Sequence, residues 1–521
     1  MLLRRENLPQ DRERLADIVM AQADEIRRLR EMVKVAQARL HAGRSERSAA
    51  VLENQMGLDL GDLETAVIPE AANENASGKA SPSGARGAKA KRNIGFLPKH
   101  LDRVEETVEP IMTTCLCCAG ALHRIGQDVS EALDITPAIL RVIRTVRPKY
   151  ACRSCEGSVV QAPAKARLFD GGMASTSLLV SIAVWKFAWY MPLARQVDML
   201  KGQGVNIDRS TASRWMARLA WYVRPLYELQ LKSIHSHGRF FCDETRMPVR
   251  KPGRKTVQTC QFWAHAIDDR PWGGPAHPAV AYVFSQGRAH KEISGQLADY
   301  QGWLQVDGYA AYNGLTKTGR KPGPIKLAFC MAHARRKWTD IYKATPLPLA
   351  ADIIERFASL YAIEAQIRGC DAHHRRRVRQ DLSAPKMAEL RTVMVEALPK
   401  LSKKSKSAKA IGYCLKHWEG LNAFLDDGRL EIDSNTVERS MRPIALGRAN
   451  SLFAGSDGGA EVWAVLASLL TTAKLNGLDP YAYLYDVVER MVSGQVKSHE
   501  LEQLLAWNWA PASRVTLAAA A

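Results

Sequence analysis

The sequence predicts a multidomain α/β protein, with a mixed strand-and-helix core carrying an all-helical insertion and several smaller modules in front of it. Three observations carry this expectation. The chain has 521 residues, too many for one ordinary hydrophobic core. Two C-x-x-C pairs, Cys115/Cys118 and Cys152/Cys155, mark a small module of their own. Beyond His237, apolar strand-like stretches recur around one helix-like stretch, and two of them run into acidic residues.

Charge narrows the partners. Lys and Arg number 73 against 54 Asp and Glu, a formal net charge of +19. Such a surplus favours a polyanion, either nucleic acid or an anionic membrane. No stretch approaches the roughly 18 to 20 apolar residues of a spanning helix, and no secretory signal follows Met1, so nucleic acid is the better partner and no membrane is expected. Of ten cysteines, five are scattered singly (Cys242, Cys260, Cys330, Cys370, Cys414), which suits a reducing cytoplasm better than a secreted disulfide framework.

Residues 1–53 read as an N-terminal helix. Asp11 to Leu40 contains no Pro or Gly, and Val19, Ile26, Val33 and Leu40 recur at heptad spacing, with Leu15, Leu29 and Ala36 in the second apolar row and Gln22 interrupting it. A short dimerising coiled coil and an amphipathic helix packed on its own chain both fit. Residues 54–94 lose periodicity and end in a small, polar, basic run, a flexible basic linker.

Residues 95–165 form a zinc-ribbon-like module. Each C-x-x-C pair makes a tight knuckle, and Cys115, Cys118, Cys152 and Cys155 together would complete a closed tetrahedral site that holds structural zinc. Strand candidates at Ile139 to Val146 and Lys149-Tyr150 lie between the knuckles. Four reduced, unliganded cysteines are the alternative.

Residues 170–235 read as helical, with a helix-turn-helix. Pro192 can begin one helix, Gly202 and Gly204 break it, and Asp208 or Ser210 can cap the next. That second helix offers Thr211, Ser213 and Arg214 to a DNA groove, although any pair of core helices can look alike. Trp185, Trp189, Trp215 and Trp221 fall at helical spacing within each pair and read as core.

Residues 236–345 begin the mixed core. Arg239 to Thr245 reads as a strand ending in Asp243 and Glu244. Further strands are expected at Thr259 to Ile267 and Ala279 to Ser285, then a helix over His290 to Tyr300. A strand at Trp303 to Val306 ends at Asp307. This is the layout of an RNase H-like core, in which acids on neighbouring strands face one metal site. Residues 428–475 return to it, with Asn435 and Glu438 about one turn apart on a helix. Residues 476–521 read as a C-terminal helical segment. Phosphodiester cleavage needs a deprotonated nucleophile and a stabilised leaving oxygen, and paired hard cations held by carboxylates supply both. Taken singly, each acid reads more readily as a solvated surface charge.

The motifs decide between these readings. From about Arg44 to Trp507 the chain resembles the insertion-sequence 66 family of bacterial DDE transposases. The matching strings, in order, are G-R-S-E-R, the cysteine pairs, K-Y-A-C, D-E-T at Asp243, and D-G-Y-A-A-Y from Asp307. C-M-A-H-A-R-R-K-W follows from Cys330, then D-G-R-L-E-I-D-S-N-T-V-E-R from Asp427, L-F-A-G-S-D-G-G-A-E from Leu452 and T-A-K-L-N-G-L-D-P-Y-A-Y-L from Thr472. Departures at Ser434, Met331 and Ala506 touch none of the three acids. The resemblance implies that Asp243, Asp307 and Glu438 are the DDE triad, binding two Mg²⁺ (or Mn²⁺) ions. It implies a transposase that binds terminal inverted repeats, frees a 3′-OH and transfers it into target DNA. A nuclease that cuts without joining and a non-catalytic DNA-binding regulator are the competing classes.

The resemblance also makes residues 346–427 a helical insertion, whose basic runs HHRRRVRQ and KLSKKSKSAK suit phosphate contact or a solvated face. Arg335, Arg336, Lys337 and Arg439 are candidate phosphate contacts beside the metals. Cys330 and His333 share metal-ligand spacing just after a strand-like stretch, but two ligands do not make a site. The implied partners are double-stranded DNA (transposon ends and target), at least a second copy of the chain in the active complex, and accessory proteins of the same element. The implied location is the bacterial cytoplasm, on the nucleoid when DNA is bound.

Overall fold

The computed structural model describes residues 140, 142–146, 149–151, 159–161, 164–169, 172–254 and 256–511. The expected N-terminal helix, the basic linker and Cys115, Cys118, Cys152 and Cys155 lie outside the described residues. The described residues fall into two units, one up to Ala164 and a larger one from Lys165 on.

In the smaller unit, strands β1 (Lys149–Ala151) and β2 (Val159–Gln161) pair antiparallel, with Lys149 opposite Gln161 and Ala151 opposite Val159. Cys152 and Cys155 fall between these strands in sequence. The strand expected over residues 139–146 is not found: residues 140 and 142–146 have no regular structure, and Val142 and Val146 are 94% and 71% exposed. An apolar run becomes a strand only where a ladder partner takes its amides and carbonyls.

The larger unit is built on a five-stranded sheet in the order β5-β4-β3-β6-β7, where β3 is Arg239–Arg250, β4 Val257–Ile267, β5 Ala279–Ser285, β6 Trp303–Val306 and β7 Lys326–Phe329. β3, β4 and β5 form an antiparallel meander, while β6 and β7 add to β3 in parallel. β3 runs five residues past Thr245 in pairing with β4 through Arg250, so Asp243 and Glu244 sit within the strand rather than at its end. The helix expected from His290 closes early, at Gln296.

Helices cover the sheet. α1 (Thr176–Phe187), α2 (Leu193–Gly202) and α3 (Arg209–His235) precede it, and α4 (His290–Gln296) lies between β5 and β6. α3 is one continuous helix of 27 residues. Its second half buries Leu219, Val223, Leu226 and Ile234 in the main core with sheet residues such as Phe240, Phe262 and Val280.

The four tryptophans divide. Trp215 is buried on α3 and Trp185 is partly so, but Trp189 and Trp221 are 55% and 61% exposed, against the expectation of four core residues. Trp189 follows the end of α1, with the Lys474 ammonium 4.7 Å from its ring. Trp221 is on the solvent face of α3 under the Arg218 guanidinium.

β7 leads into α5 (Met331–Ala344), which opens a second, all-helical core. It comprises α6 (Pro348–Gln366), α7 (Ala372–Val378), α8 (Ala384–Ala397), α9 (Lys406–Lys416) and α10 (Trp418–Asp426). Met331, Ala334 and Trp338 of α5 pack there with Ile353, Phe357, Leu390, Met394, Ile411 and Phe424.

The basic run on α7 is only half a surface. Arg375 and Arg379 are 1% and 0% exposed, and Arg379 makes two 2.7 Å bonds to the Glu364 carboxylate while Arg375 pairs with Glu431 at 2.8 Å. These two arginines tie the insertion together and are not phosphate contacts. Arg376 and Arg377 remain exposed, as do Lys403, Lys404 and Lys406 before and at the start of α9.

The chain returns to the sheet through α11 (Asn435–Ser451), α12 (Asp457–Leu475) and α13 (Pro480–Val492). α12 seals the β5 edge: Ser468 Oγ accepts from the Tyr282 amide at 2.8 Å and Thr472 Oγ1 from the Val280 amide at 3.0 Å. Gln230 of α3 donates to the Val280 carbonyl and to Thr472 Oγ1, joining helix, edge strand and α12. No helix among the described residues is long and apolar enough to cross a membrane.

Candidate active site

Two strands and one helix bring three acids together. β3 and β6 pair in parallel with Phe241 opposite Gln305, so continuing that register brings Asp243 of β3 level with Asp307, the residue just past the end of β6. Cys242 and Glu244 both meet the Tyr312 hydroxyl, at 3.7 and 3.1 Å. Alternation therefore turns Asp243 to the opposite face.

Glu438 arrives on the first turn of α11 and is 6% exposed. Its neighbours Val437, Met441 and Ile444 are buried in the main core, which seats the helix on the sheet. Ser434 Oγ donates to Glu438 Oε1 at 3.3 Å. Asp433 ends the connection into the helix, accepting from the Asn435 amide at 3.1 Å and from the Asn435 side chain at 2.9 Å.

The turn after Asp307 is held on both sides. Asp307 Oδ1 accepts from the Tyr309 amide at 2.8 Å, and the Tyr413 hydroxyl from α9 donates to the Asp307 carbonyl at 2.8 Å. Gly308 between them has φ +91°, and a Cβ there would stand 2.9 Å from the Tyr413 hydroxyl. Only glycine gives this turn both its backbone angle and its clearance.

Burial and neighbouring acids raise several of the carboxyls here. Burial, then the carboxylates of Asp307, Glu244 and Glu438, push the Asp243 carboxyl well above the usual carboxylate range. Glu244 is pushed up to about 7, by burial first and then by Asp307, although Arg288 at 3.1 Å and the Tyr312 hydroxyl oppose the rise. Asp433 is pushed up to about 6, chiefly by burial.

The basic candidates take different places. Lys337 is exposed on α5 with its ammonium 4.4 Å from the Tyr413 ring centre, which brings it to the Asp307 turn. Arg439 is exposed one residue beyond Glu438. Arg336 is partly buried. Arg335 is also partly buried, with its guanidinium over the Tyr361 ring at 5.7 Å. Thr211, Ser213 and Arg214 occupy the first turns of α3, with Ser213 and Arg214 exposed and Arg214 donating to Thr211 Oγ1.

Sequence reasoning passed over several residues of this site. Glu244 was visible beside Asp243 and Tyr312 within D-G-Y-A-A-Y, but their pairing depends on the turn after β6. Arg288, Asp433 and Tyr413 carry no local signal, since each acquires its role through contacts between distant segments. Cys330 and His333, two ligands by spacing, gain a third neighbour: His333 Nδ1 lies 3.6 Å and Cys330 Sγ 4.0 Å from Glu438 Oε1.

Comparison with known proteins covers most of the chain. Residues 171–462 match the family model for the Transposase IS66 family, and residues 112–156 match the zinc-finger binding domain of transposase IS66. Residues 468–507 match the IS66 C-terminal element, and residues 28–105 a model described as Transposase C of IS166 homeodomain. The uncharacterized protein y4jD of Sinorhizobium fredii (strain NBRC 101917 / NGR234) is 51% identical over 516 residues, spanning 98% of each chain. Two further uncharacterized proteins of that organism, y4qI and y4hP, are 40% and 36% identical, over 96% and 92% of this chain and 92% and 88% of their own lengths.

Proposed function

The chain belongs to the IS66 family of transposases, and from that premise we propose that it cuts DNA at the ends of an insertion sequence and joins the freed 3′-OH to target DNA. The observation that carries this reading is the convergence of Asp243, Asp307 and Glu438: the Asp243 carboxyl is raised by burial first and then by the charges of Asp307, Glu244 and Glu438. A strand order of β5-β4-β3-β6-β7, with one acid in β3 and another just past β6, also supports an RNase H-like core.

The donor set fits hard divalent cations, because such ions prefer clustered carboxylate oxygens. Asp243, Asp307 and Glu438 would hold two Mg²⁺ or Mn²⁺ ions, which when bound supply acidification of the attacking hydroxyl and charge neutralisation at the leaving oxygen. The chain's own residues do the placing. The β3–β6 pairing fixes the two aspartates, Ser434 orients Glu438, and the Gly308 turn holds the Asp307 backbone against Tyr413. Lys337 and Arg439, exposed beside these acids, bind the flanking phosphates.

Hydrolysis at the transposon end breaks a P–O bond and leaves a 3′-OH. In the joining step that hydroxyl attacks a target phosphorus in line, forming a new phosphodiester as the target's 3′ oxygen leaves with the electron pair. Cys115, Cys118, Cys152 and Cys155 would bind one structural zinc ion. That module and the α2–α3 pair, through Thr211, Ser213 and Arg214, would recognise the terminal repeats.

The test is strand transfer with labelled transposon-end DNA and Mg²⁺. Joined product is expected. Cleavage without joining would make the protein a nuclease, and binding with neither would make it a DNA-binding regulator.

A further inference from the structure

Among the described residues, Cys330, His333 and Glu438 bring a sulfur, a nitrogen and an oxygen within 4.8 Å of one another. Cys330 follows β7 as the N-cap of α5 and His333 lies in that helix's first turn, so one helix start carries both side chains, and α11 supplies the glutamate. The three come from segments 105 residues apart in sequence, from His333 to Glu438, and meet only in the folded chain.

The spacing is that of a metal site waiting to contract. Ordinary zinc–ligand distances and tetrahedral angles set sulfur and oxygen about 3.5 Å apart, and nitrogen and oxygen about 3.3 Å. Here Cys330 Sγ is 4.0 Å and His333 Nδ1 3.6 Å from Glu438 Oε1. Small side-chain rotations close that difference.

The surroundings support ligation as well. The Ser434 amide donates to Cys330 Sγ at 3.2 Å and the Ser434 hydroxyl to Glu438 Oε1 at 3.3 Å, so one residue orients two ligands in the way outer-shell groups do in metal centres. His333 Nδ1 is enclosed without a hydrogen-bond partner. A buried ring nitrogen left unsatisfied is costly unless something occupies it.

We propose that Cys330, His333 and Glu438 form a second cation site, selective for a borderline-soft ion such as Zn²⁺, whose occupancy draws Glu438 away from Asp243 and Asp307. A thiolate and an imidazole favour zinc over magnesium, whereas the neighbouring all-oxygen set favours magnesium. Binding releases the Cys330 thiol proton to solvent. Glu438 belongs to both sites, and zinc that draws its Oε1 toward Cys330 and His333 pulls the carboxylate out of position for the other acids, so zinc inhibits the strand chemistry in competition with Mg²⁺. The inhibitory role rests on the reading of Glu438 as an active-site ligand, while the binding itself does not.

The experiment is metal analysis of the full-length protein, equilibrated with Zn²⁺ in the absence of DNA and dialysed. Wild type should retain about one more zinc per chain than either Cys330→Ala or His333→Ala. Asp243→Ala should retain as much as wild type. His333 is a quarter exposed, so its variant provides a folded comparison even if the buried Cys330 variant melts early. Equal zinc in wild type and folded His333→Ala overturns the site. That failure would leave the active-site reading intact, because no DNA chemistry enters the measurement. Strand transfer surviving Asp243→Ala would do the reverse.

Discussion

At the scale of single residues, the site depends on side chains that hold acids as much as on the acids. Gly308 is the clearest case, because Asp307 must leave β6 through a left-handed turn that clears Tyr413. Gly308→Ala should cost about 1 to 3 kcal/mol, read as a lower urea midpoint, and should depress strand transfer further than DNA binding. Unchanged stability would mean that the turn relaxes and the tyrosine contact is dispensable. The strands that carry Asp243 and lead to Asp307 were legible from their aromatic and aliphatic runs, but the two acids were singled out only by the motifs D-E-T and D-G-Y-A-A-Y. Glu438 was not legible from spacing, because a helical insertion separates it from Asp307 and only its motif pointed to it. The buried pair Arg375 and Arg379 was misread for a physical reason. A run of arginines looks solvated until Glu364 and Glu431 arrive from other segments to neutralise it.

At the scale of elements, the long helix α3 shows how one segment carries two duties. Its first turns present polar and basic side chains, and its last turns are clamped into the core. Near its end, His235 shares a 2.7 Å hydrogen bond with His265, which in turn bonds Gln296 at 3.0 Å. Phe240 stacks on both rings and Tyr300 covers the cluster. Burial pulls His235 down to about 4 from an ordinary 6.5, and His265 well below its usual value. Folding therefore excludes the proton. The stabilisation is complete above pH 6.5 and is lost as pH falls towards 4. Wild type should lose about 3 kcal/mol over that window from His235 alone. Urea melts of His235→Gln should show a shallower pH slope, and parallel slopes for the two proteins would exclude His235 as the cause. The helices α2 and α3 were readable from caps and breakers such as Pro192, Gly204 and Asp208. The exposed Trp221 was not, because periodicity identifies an apolar face without saying how wide the covering core is.

At the scale of the whole molecule, net charge and fold tell one story. The surplus of +19 is partly internal, since Arg239, Arg375 and Arg379 are spent on buried ion pairs. What remains for DNA includes the exposed lysines Lys403, Lys404 and Lys406 on the insertion. Replacing them with Gln should reduce the slope of log affinity against log salt by about 0.9 for each lysine in phosphate contact, with little change in sequence preference. An unaltered slope would place the insertion's basic run away from DNA. The central claim remains that three carboxylates from β3, the end of β6 and α11 perform the chemistry. It is tested most directly by strand transfer with Mg²⁺ and labelled transposon-end DNA, comparing wild type with Asp243→Asn, Asp307→Asn and Glu438→Gln. All three variants should bind the end DNA yet lose joined product by about a thousandfold or more. Joining at near wild-type rate by any one of them would contradict the account.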